Sequence, residues 1–216
     1  MLDGDEVVLD AGCGTGRVTA MLLDRLPRGR VFALDYSKKM LDEAAQNLAA
    51  YAGRVEFVEA NLADPLAITE PLDGVFSTAT FHWVPDHDAL FRNLAAAIRP
   101  GGQLVAQCGG AGNLDSVGRA LEAYGLRWPG WAFDDAESTA AALADAGFVD
   151  IQTWLNPEPT SFGSRDEMAE FLRTVVLRTY LEATPEDERE GLLEGVLDLL
   201  GLELDYVRLN IVAIRG

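Results

Sequence analysis

The sequence is poor in cysteine, histidine and lysine, and it has no long hydrophobic run. Its two cysteines, Cys13 and Cys108, are far apart and form no Cys-x-x-Cys pair, so neither a disulfide framework nor a zinc site is indicated. No apolar stretch approaches the ~18 residues that cross a membrane. No basic segment followed by an apolar one marks a signal peptide. These absences predict a soluble, cytoplasmic protein without a bound metal.

Positive charge is also scarce. Lys and Arg together number 17 against 35 Asp and Glu, which gives the 216 residues a net charge of -18. Proteins that bind nucleic acids or anionic membranes gain affinity from a basic face. The composition therefore argues against both kinds of partner. We expect a small-molecule ligand and a monomer or weak homodimer.

Short apolar runs alternate with amphipathic stretches through the first half of the chain. This alternation is typical of βαβ units and of a mostly parallel sheet covered on both faces. We predict strands at 7–9, 30–34, 54–58, 73–78 and 104–108, and helices at 17–26, 38–51 and 88–98.

The second half of the chain does not show this alternation of strand and helix patterns. Residues 109–134 are rich in glycine and aromatic residues, and we expect them to be irregular. Further along the chain, the pattern predicts a helix at 137–146, a strand at 148–155, helical stretches at 165–183 and 185–200, and a last strand at 207–214. We interpret the chain as a single domain, 1–216, with a helical cap inserted at about 160–202.

A glycine-rich segment joins the first predicted strand to the first helix. It has the pattern Asp10-x-Gly12-x-Gly14-x-Gly16. The dinucleotide fingerprint requires a third glycine where this chain has Arg17, and no Gly-Lys-Ser/Thr of a phosphate-binding loop follows. A nucleoside ligand without a pyrophosphate is therefore favoured over a dinucleotide or a nucleoside triphosphate.

Asp35 ends the second predicted strand. An acid at this position of a nucleotide-binding fold accepts hydrogen bonds from the ribose hydroxyls. A solvated loop acid is the alternative interpretation of Asp35 alone, but its spacing from the glycine segment favours the ribose.

These features, together with the sequence Arg-Pro-Gly-Gly at 99–102, resemble the class I S-adenosylmethionine-dependent methyltransferases. The resemblance implies a Rossmann-like, doubly wound α/β fold with a seven-stranded sheet, mostly parallel and with the last strand antiparallel. It also implies S-adenosylmethionine as cofactor and S-adenosylhomocysteine as product. Residues 1–108 would then form the cofactor-binding half, and residues 109–216 the substrate-side half.

The resemblance assigns roles around the cofactor. Gly12 and Gly14 would pass under its methionine part, Asp35 would hold the ribose, and Tyr36 would pack on the adenine. Asn61 stands where family members commonly have Asp, and its side-chain oxygen would accept from the adenine amino group. The full set of expected cofactor residues is Asp10, Gly12, Cys13, Gly14, Gly16, Asp35, Tyr36, Met40, Asn61, Leu62, Thr78 and Phe81.

The sequence around His82 and Trp83 (76–87) is similar to trans-aconitate methyltransferases and their relatives, as are the segments at 171–174 and 206–209. Those enzymes methylate a carboxylate of a small acid, a nucleophile that is already ionised at neutral pH and needs no base. For an amine or hydroxyl acceptor, His82 is the candidate catalytic base.

Three aromatic and two basic residues are candidates for the acceptor site. We expect the tryptophans to line this site: Trp83, Trp128 and Trp131. We expect Arg173 and Arg208 to recognise a carboxylate through their bidentate guanidinium groups. Structural roles stay open for all of them, as core aromatics, loop anchors or surface salt bridges. His87 precedes a predicted helix, so we expect it to be a capping or surface residue.

Alternatives to a carboxylate methyltransferase stay open. One is an N- or O-methyltransferase of another small metabolite. Another is a non-catalytic cofactor-binding protein, suggested by Asn61 and by a start only a few residues before the first strand, where relatives carry a helical segment. A nicotinamide-dependent dehydrogenase is disfavoured by Arg17.

Overall fold

The structure, a computed structural model, describes residues 3–127 and 131–216. Trp128, a predicted acceptor-site residue, lies outside this part of the chain. The chain divides into two compact units. The first comprises residues 3–111, 131–156 and 208–216 and the second residues 112–127 and 157–207. The interpretation of the whole chain as one domain stays a prediction.

The described residues form nine strands. They are β1 (Val7–Ala11), β2 (Arg30–Asp35), β3 (Val55–Glu59), β4 (Leu72–Thr78), β5 (Ile98–Gly109), β6 (Phe148–Pro157), β7 (Thr160–Ser161), β8 (Glu203–Leu204) and β9 (Val207–Arg215). The described helices are α1 (Arg17–Arg25), α2 (Lys38–Asn47), α3 (His87–Ala97), α4 (Asp115–Ala123), α5 (Ala136–Asp145), α6 (Arg165–Phe171), α7 (Arg178–Ala183) and α8 (Arg189–Asp198). No helix in this part of the chain is long and apolar enough to cross a membrane.

The sheet of the first unit has seven strands in the order β3-β2-β1-β4-β5-β9-β6. The strands from β1 to β5 pair in parallel, and β9 pairs antiparallel with β5. The predicted Rossmann-like sheet with an antiparallel last strand is confirmed. Because β1 has β2 on one side and β4 on the other, the strand order reverses there, and the carboxyl ends of these strands open a crevice for a ligand.

Apolar side chains cover both faces of this sheet, as expected for parallel strands. Leu9, Leu104, Phe91 and Leu143 are completely buried in one cluster, and Leu23 and Val31 belong to a second one. The side chains of Ser37, Asp86 and Asp135 cap α2, α3 and α5 by accepting a backbone N–H three residues further on. This rigid core fixes the loops at the carboxyl edge.

The second unit contains helices α4, α6, α7 and α8 and the two-stranded antiparallel sheet β7-β8. The expectation of an irregular 109–134 segment is wrong for α4, whose first helical residue follows Leu114 in the left-handed region (φ 58°). The stretch expected as one helix at 165–183 is interrupted by a π-helical turn, Leu172–Val176. The helix expected from 185 begins at Arg189.

Candidate active site

The glycine segment after β1 turns sharply, and the surroundings of Gly14 differ from those of Gly12 and Gly16. A Cβ on Gly12 would collide with the Thr80 side chain, and one on Gly16 would lie 2.8 Å from Leu48 Cδ1. A Cβ on Gly14, which has φ +54°, would meet no atom within 4 Å. Protein packing therefore explains Gly12 and Gly16, whereas Gly14 borders open space in which a ligand can approach the backbone.

Asp35, at the end of β2, is held in place by the glycine segment. Its Oδ2 accepts from the Gly14 N–H at 2.9 Å and its Oδ1 from the Ser37 N–H at 2.8 Å. Because each carboxylate oxygen has two lone pairs, both retain capacity for another donor such as a hydroxyl. Tyr36 follows with 78% of its surface exposed. The predicted ribose and adenine residues thus stand beside Gly14.

Asp10 is a buried carboxyl group at the end of β1. The Thr19 hydroxyl of α1 donates to its Oδ2 at 2.6 Å. Burial raises the pKa of Asp10 to about 6, and the negative charge of Asp35 adds to the increase against the effect of the Thr19 bond. The side chain therefore ties α1 to the sheet and is ionised only above about pH 6.

The other predicted cofactor residues lie in varied environments. Cys13, Leu62 and Phe81 are buried, and Phe81 packs edge-on against Phe91. The Asn61 Oδ1 accepts from the Ala63 N–H at 3.0 Å, which leaves one lone pair of that oxygen for a ligand. Met40 is half-buried in the first turn of α2, and Thr78 ends β4. Their roles toward the cofactor stay predictions.

His82 belongs to a 3-10 turn, Phe81–Trp83, that follows β4. Its Nδ1 lies 3.3 Å from the Gly109 N–H, which donates to it, so the ring proton is on Nε2. Burial lowers the pKa of His82 to about 4, assisted by the electrostatic effects of Arg208 and His87. The ring is therefore a neutral hydrogen-bond donor through Nε2.

Three aromatic rings surround His82, and we call the four residues His82, Trp83, Trp131 and Phe133 the aromatic wall. Trp83 and Trp131 are in edge contact at 4.6 Å between ring centroids. The His82 ring lies 5.9 Å from Trp131 and 5.8 Å from Phe133. Trp83 remains 47% exposed. The wall begins two residues after Thr80, the residue that packs on Gly12, so it adjoins the glycine segment.

The two predicted arginines belong to different units. Arg208 lies on β9 in register with Gly109, the residue that donates to His82. Its charge reaches the His82 ring, since it lowers the pKa of that imidazole. Arg173 lies on the π-helical turn of the second unit, where its guanidinium pairs with Glu190 at 2.9 Å and Glu170 at 3.3 Å. Arg208 is therefore the arginine that the structure brings to the wall.

The expectation for His87 is wrong. The residue that caps α3 is Asp86, and His87 is 7% exposed. Its Nδ1 lies 2.6 Å from Asp134 Oδ2 and its Nε2 lies 3.0 Å from the Phe81 carbonyl oxygen. Asp134 is distant in the sequence, so no local pattern indicates this contact.

Comparison with known proteins identifies the family to which this chain belongs. A family model for a methyltransferase domain matches residues 8–102. Over 203 residues the chain is 34% identical to the trans-aconitate 2-methyltransferase of Azoarcus sp. (strain BH72), covering 89% of this chain and 76% of that relative. The chain belongs to the class I S-adenosylmethionine-dependent methyltransferases, in the trans-aconitate 2-methyltransferase group.

Solved structures resemble the methyltransferase in fold. One is the phosphoethanolamine N-methyltransferase 2 of Haemonchus contortus with phosphomonomethylethanolamine and S-adenosylhomocysteine (TM-score 0.65, 19% identity). The likeness covers 100% of this chain and 50% of that one. Another is the YcgJ protein of Bacillus subtilis (TM-score 0.67, 16% identity), with 98% of this chain and 92% of that chain covered.

The residues beside the glycine segment fit S-adenosylmethionine. Gly14 leaves space where a side chain would stand, the Asp35 oxygens retain lone pairs for two hydroxyls, and the Tyr36 ring is exposed. Asp10 and Asp35 also supply negative charge, which favours a cofactor that carries a sulfonium. We expect Asp35 and Tyr36 to hold the nucleoside, and Gly14 to border the methionine part.

The affinity of the enzyme for S-adenosylmethionine is expected to fall as the pH is lowered through about 6. Above this pH, Asp10 is ionised and attracts the cationic cofactor, whereas below it the group binds a proton and that attraction is lost. Linkage limits the fall to about tenfold per pH unit. Isothermal titration calorimetry between pH 5 and pH 8 measures it. Asp10→Asn should bind weakly with little pH dependence, and equal wild-type affinities at pH 5 and pH 8 would contradict the role of Asp10.

Proposed function

We propose that the enzyme transfers the methyl group of S-adenosylmethionine to a carboxylate of a small acid such as trans-aconitate. The observation that carries this proposal is the state of His82. Its Nδ1 already accepts from Gly109, and its pKa lies near 4. A ring in this state does not remove a proton at neutral pH, so the wall suits a nucleophile that needs no base.

The reaction with a carboxylate balances without proton transfer. Bound S-adenosylmethionine supplies a methyl carbon to which the carboxylate oxygen bonds as the sulfur leaves with the electron pair, giving a methyl ester and S-adenosylhomocysteine. The chain aligns the acceptor and keeps water away, and alignment alone contributes several kcal/mol to such a bimolecular step. An amine or hydroxyl acceptor must also lose a proton, for which His82 is unsuited.

Electrostatics at the wall also favour an anion. The Arg208 charge acts on the His82 ring, and the neutral imidazole offers a donor at Nε2. Arginine and a neutral N–H donor together match the two oxygens of a carboxylate. We assign Arg208 and His82 to acceptor recognition, with Trp83 and Trp131 as an apolar wall beside them. The relative from Azoarcus, named a trans-aconitate 2-methyltransferase, supports this acceptor class.

The test is methyl transfer to matched acceptors. The enzyme is incubated with methyl-labelled S-adenosylmethionine and trans-aconitate, its neutral triamide, or phosphoethanolamine, and the products are identified by mass spectrometry. We expect a monomethyl ester of trans-aconitate and no transfer to the triamide. Hydroxide should hydrolyse this ester to trans-aconitate and labelled methanol. Transfer to phosphoethanolamine without ester formation would contradict the proposal and favour an N-methyltransferase. No transfer to any of the three would also count against a trans-aconitate-like acceptor.

A further inference from the structure

His87 connects the two segments that carry the aromatic wall. Its Nε2 lies 3.0 Å from the carbonyl oxygen of Phe81, which begins the turn with His82 and Trp83. Its Nδ1 lies 2.6 Å from the carboxylate of Asp134, which directly follows Phe133 and lies three residues after Trp131 in sequence. One buried ring therefore bridges the halves of the wall.

The segment at 131–135 depends on such bonds for its position, because it belongs to no helix or strand. Two backbone bonds also hold it. The Ala132 N–H donates to the His82 carbonyl at 2.9 Å, and the Ala111 N–H donates to the Asp134 carbonyl at 2.9 Å. The Asp134 carboxylate, whose side chain is 39% exposed, gains a fixed direction from His87. Loss of that bond would free the side chain without removing the backbone anchors.

We propose that His87 is a positioning residue for the acceptor. Through Asp134 it sets Trp131 and Phe133 against His82 and Trp83, and so fixes the wall on which the acceptor rests. His87 itself contacts no reacting atom. This inference rests on the proposed function because the acceptor is placed at the aromatic wall. The effect of His87 on the geometry of the wall does not depend on which acceptor binds.

A merely structural role makes a different prediction. The His87 ring lies 5.7 Å from the Phe91 ring in the core. If packing were its whole purpose, variants at position 87 would lower thermal stability without changing the acceptor KM selectively. The two ring nitrogens permit a finer separation, because Asn reproduces the position of Nδ1 and Gln that of Nε2.

The first experiment compares His87→Gln, which loses the donor to Asp134, with His87→Asn, which retains it. His87→Gln should raise the KM for trans-aconitate about tenfold and leave the dissociation constant of S-adenosylhomocysteine within about twofold of wild type. His87→Asn should stay within about threefold in KM. Asp134→Asn breaks the charge-assisted bond from the partly exposed side, where folding is less at risk, and should behave as His87→Gln does.

The second experiment does not depend on the acceptor. Two tryptophan rings in edge contact give a coupled circular-dichroism signal, and Trp131→Phe identifies the part due to Trp83 and Trp131. We expect His87→Gln and Asp134→Asn to reduce this signal and His87→Asn to keep it. An unchanged signal in His87→Gln, or equal loss in His87→Gln and His87→Asn, overturns the positioning role. A reduced signal in an enzyme that does not methylate trans-aconitate supports that role while contradicting the proposed acceptor.

Discussion

Arg208→Gln is expected to lower kcat/KM for trans-aconitate by about a hundredfold or more, because a bidentate charge-assisted pair with a carboxylate contributes roughly 3 kcal/mol. Arg208 lies on β9 opposite Gly109, and its charge acts on the neutral His82 ring. Since Gly14, Asp35 and Tyr36, which we expect to hold the cofactor, lie at the carboxyl ends of β1 and β2 rather than on β9, the dissociation constant of S-adenosylmethionine should change by less than about twofold. Steady-state kinetics and calorimetry measure the two effects.

Two further variants make the Arg208 result specific. Arg208→Lys keeps the charge but loses the planar fork, so we expect an intermediate loss of kcat/KM. Arg30→Gln is the matched control, since Arg30 is an exposed arginine at the amino end of β2 that pairs with Glu70. A similar loss from Arg30→Gln would show that net charge alone governs the rate. Full activity of Arg208→Gln would remove Arg208 from acceptor recognition.

Asp35→Ala is expected to weaken binding of S-adenosylmethionine by about a hundredfold, since hydrogen bonds to a carboxylate contribute roughly 1.5 to 3 kcal/mol each. The variant loses the acceptor for the ribose hydroxyls. It also releases the Gly14 N–H, which the Asp35 Oδ2 holds at 2.9 Å. Calorimetry with S-adenosylhomocysteine gives the affinity without turnover.

The control for Asp35 is Asp42→Ala. Asp42 is an exposed acid of α2 that pairs with Lys38 at 2.7 Å. Its replacement should leave the affinity within about twofold, because exposed pairs contribute less than about 1 kcal/mol. If Asp35→Ala binds the cofactor as tightly as Asp42→Ala does, the ribose is held by other residues.

Local sequence patterns predicted the parallel strands of the first unit and their ligand-binding edge, whereas the resemblance to the family implied the seven-stranded sheet with an antiparallel last strand. The apolar runs of β1 and β2 are buried over most of their length, as expected for parallel strands inside a sheet, and the glycines mark the turn after β1. Asp35 is the last residue of β2. Because β1 and β2 are parallel neighbours, their carboxyl ends, and therefore Asp35 and the glycine segment, lie at the same edge of the sheet. The observed strand ends differ from the predicted ones by up to a few residues. The largest difference is in β5, which begins at Ile98 instead of the predicted Leu104. These features depend on residues that are close together in the sequence, so local patterns are enough to predict them.

Long-range contacts account for what the sequence did not reveal. His87 is polar and follows Pro-Asp, which is typical of a surface turn, yet Asp134 and the Phe81 carbonyl bury it. The neutral state of His82 depends on its burial and on Arg208 from β9, and its tautomer depends on Gly109 from β5. Helix α4 starts after Leu114 in a left-handed conformation that few residues other than glycine adopt, so the usual cap signal is missing.

If the acceptor is a carboxylate and His82 removes no proton, the rate of methyl transfer should not depend on pH in the neutral and alkaline range. The measurement is kcat for trans-aconitate from pH 7.5 to pH 9 at saturating S-adenosylmethionine, a range in which Asp10, with a pKa of about 6, is almost wholly ionised. With the pKa of His82 near 4 and the acceptor already ionised, kcat should vary by less than about twofold. A kcat that rises about tenfold per pH unit would reveal a required deprotonation and contradict methyl transfer to an ionised carboxylate without a base.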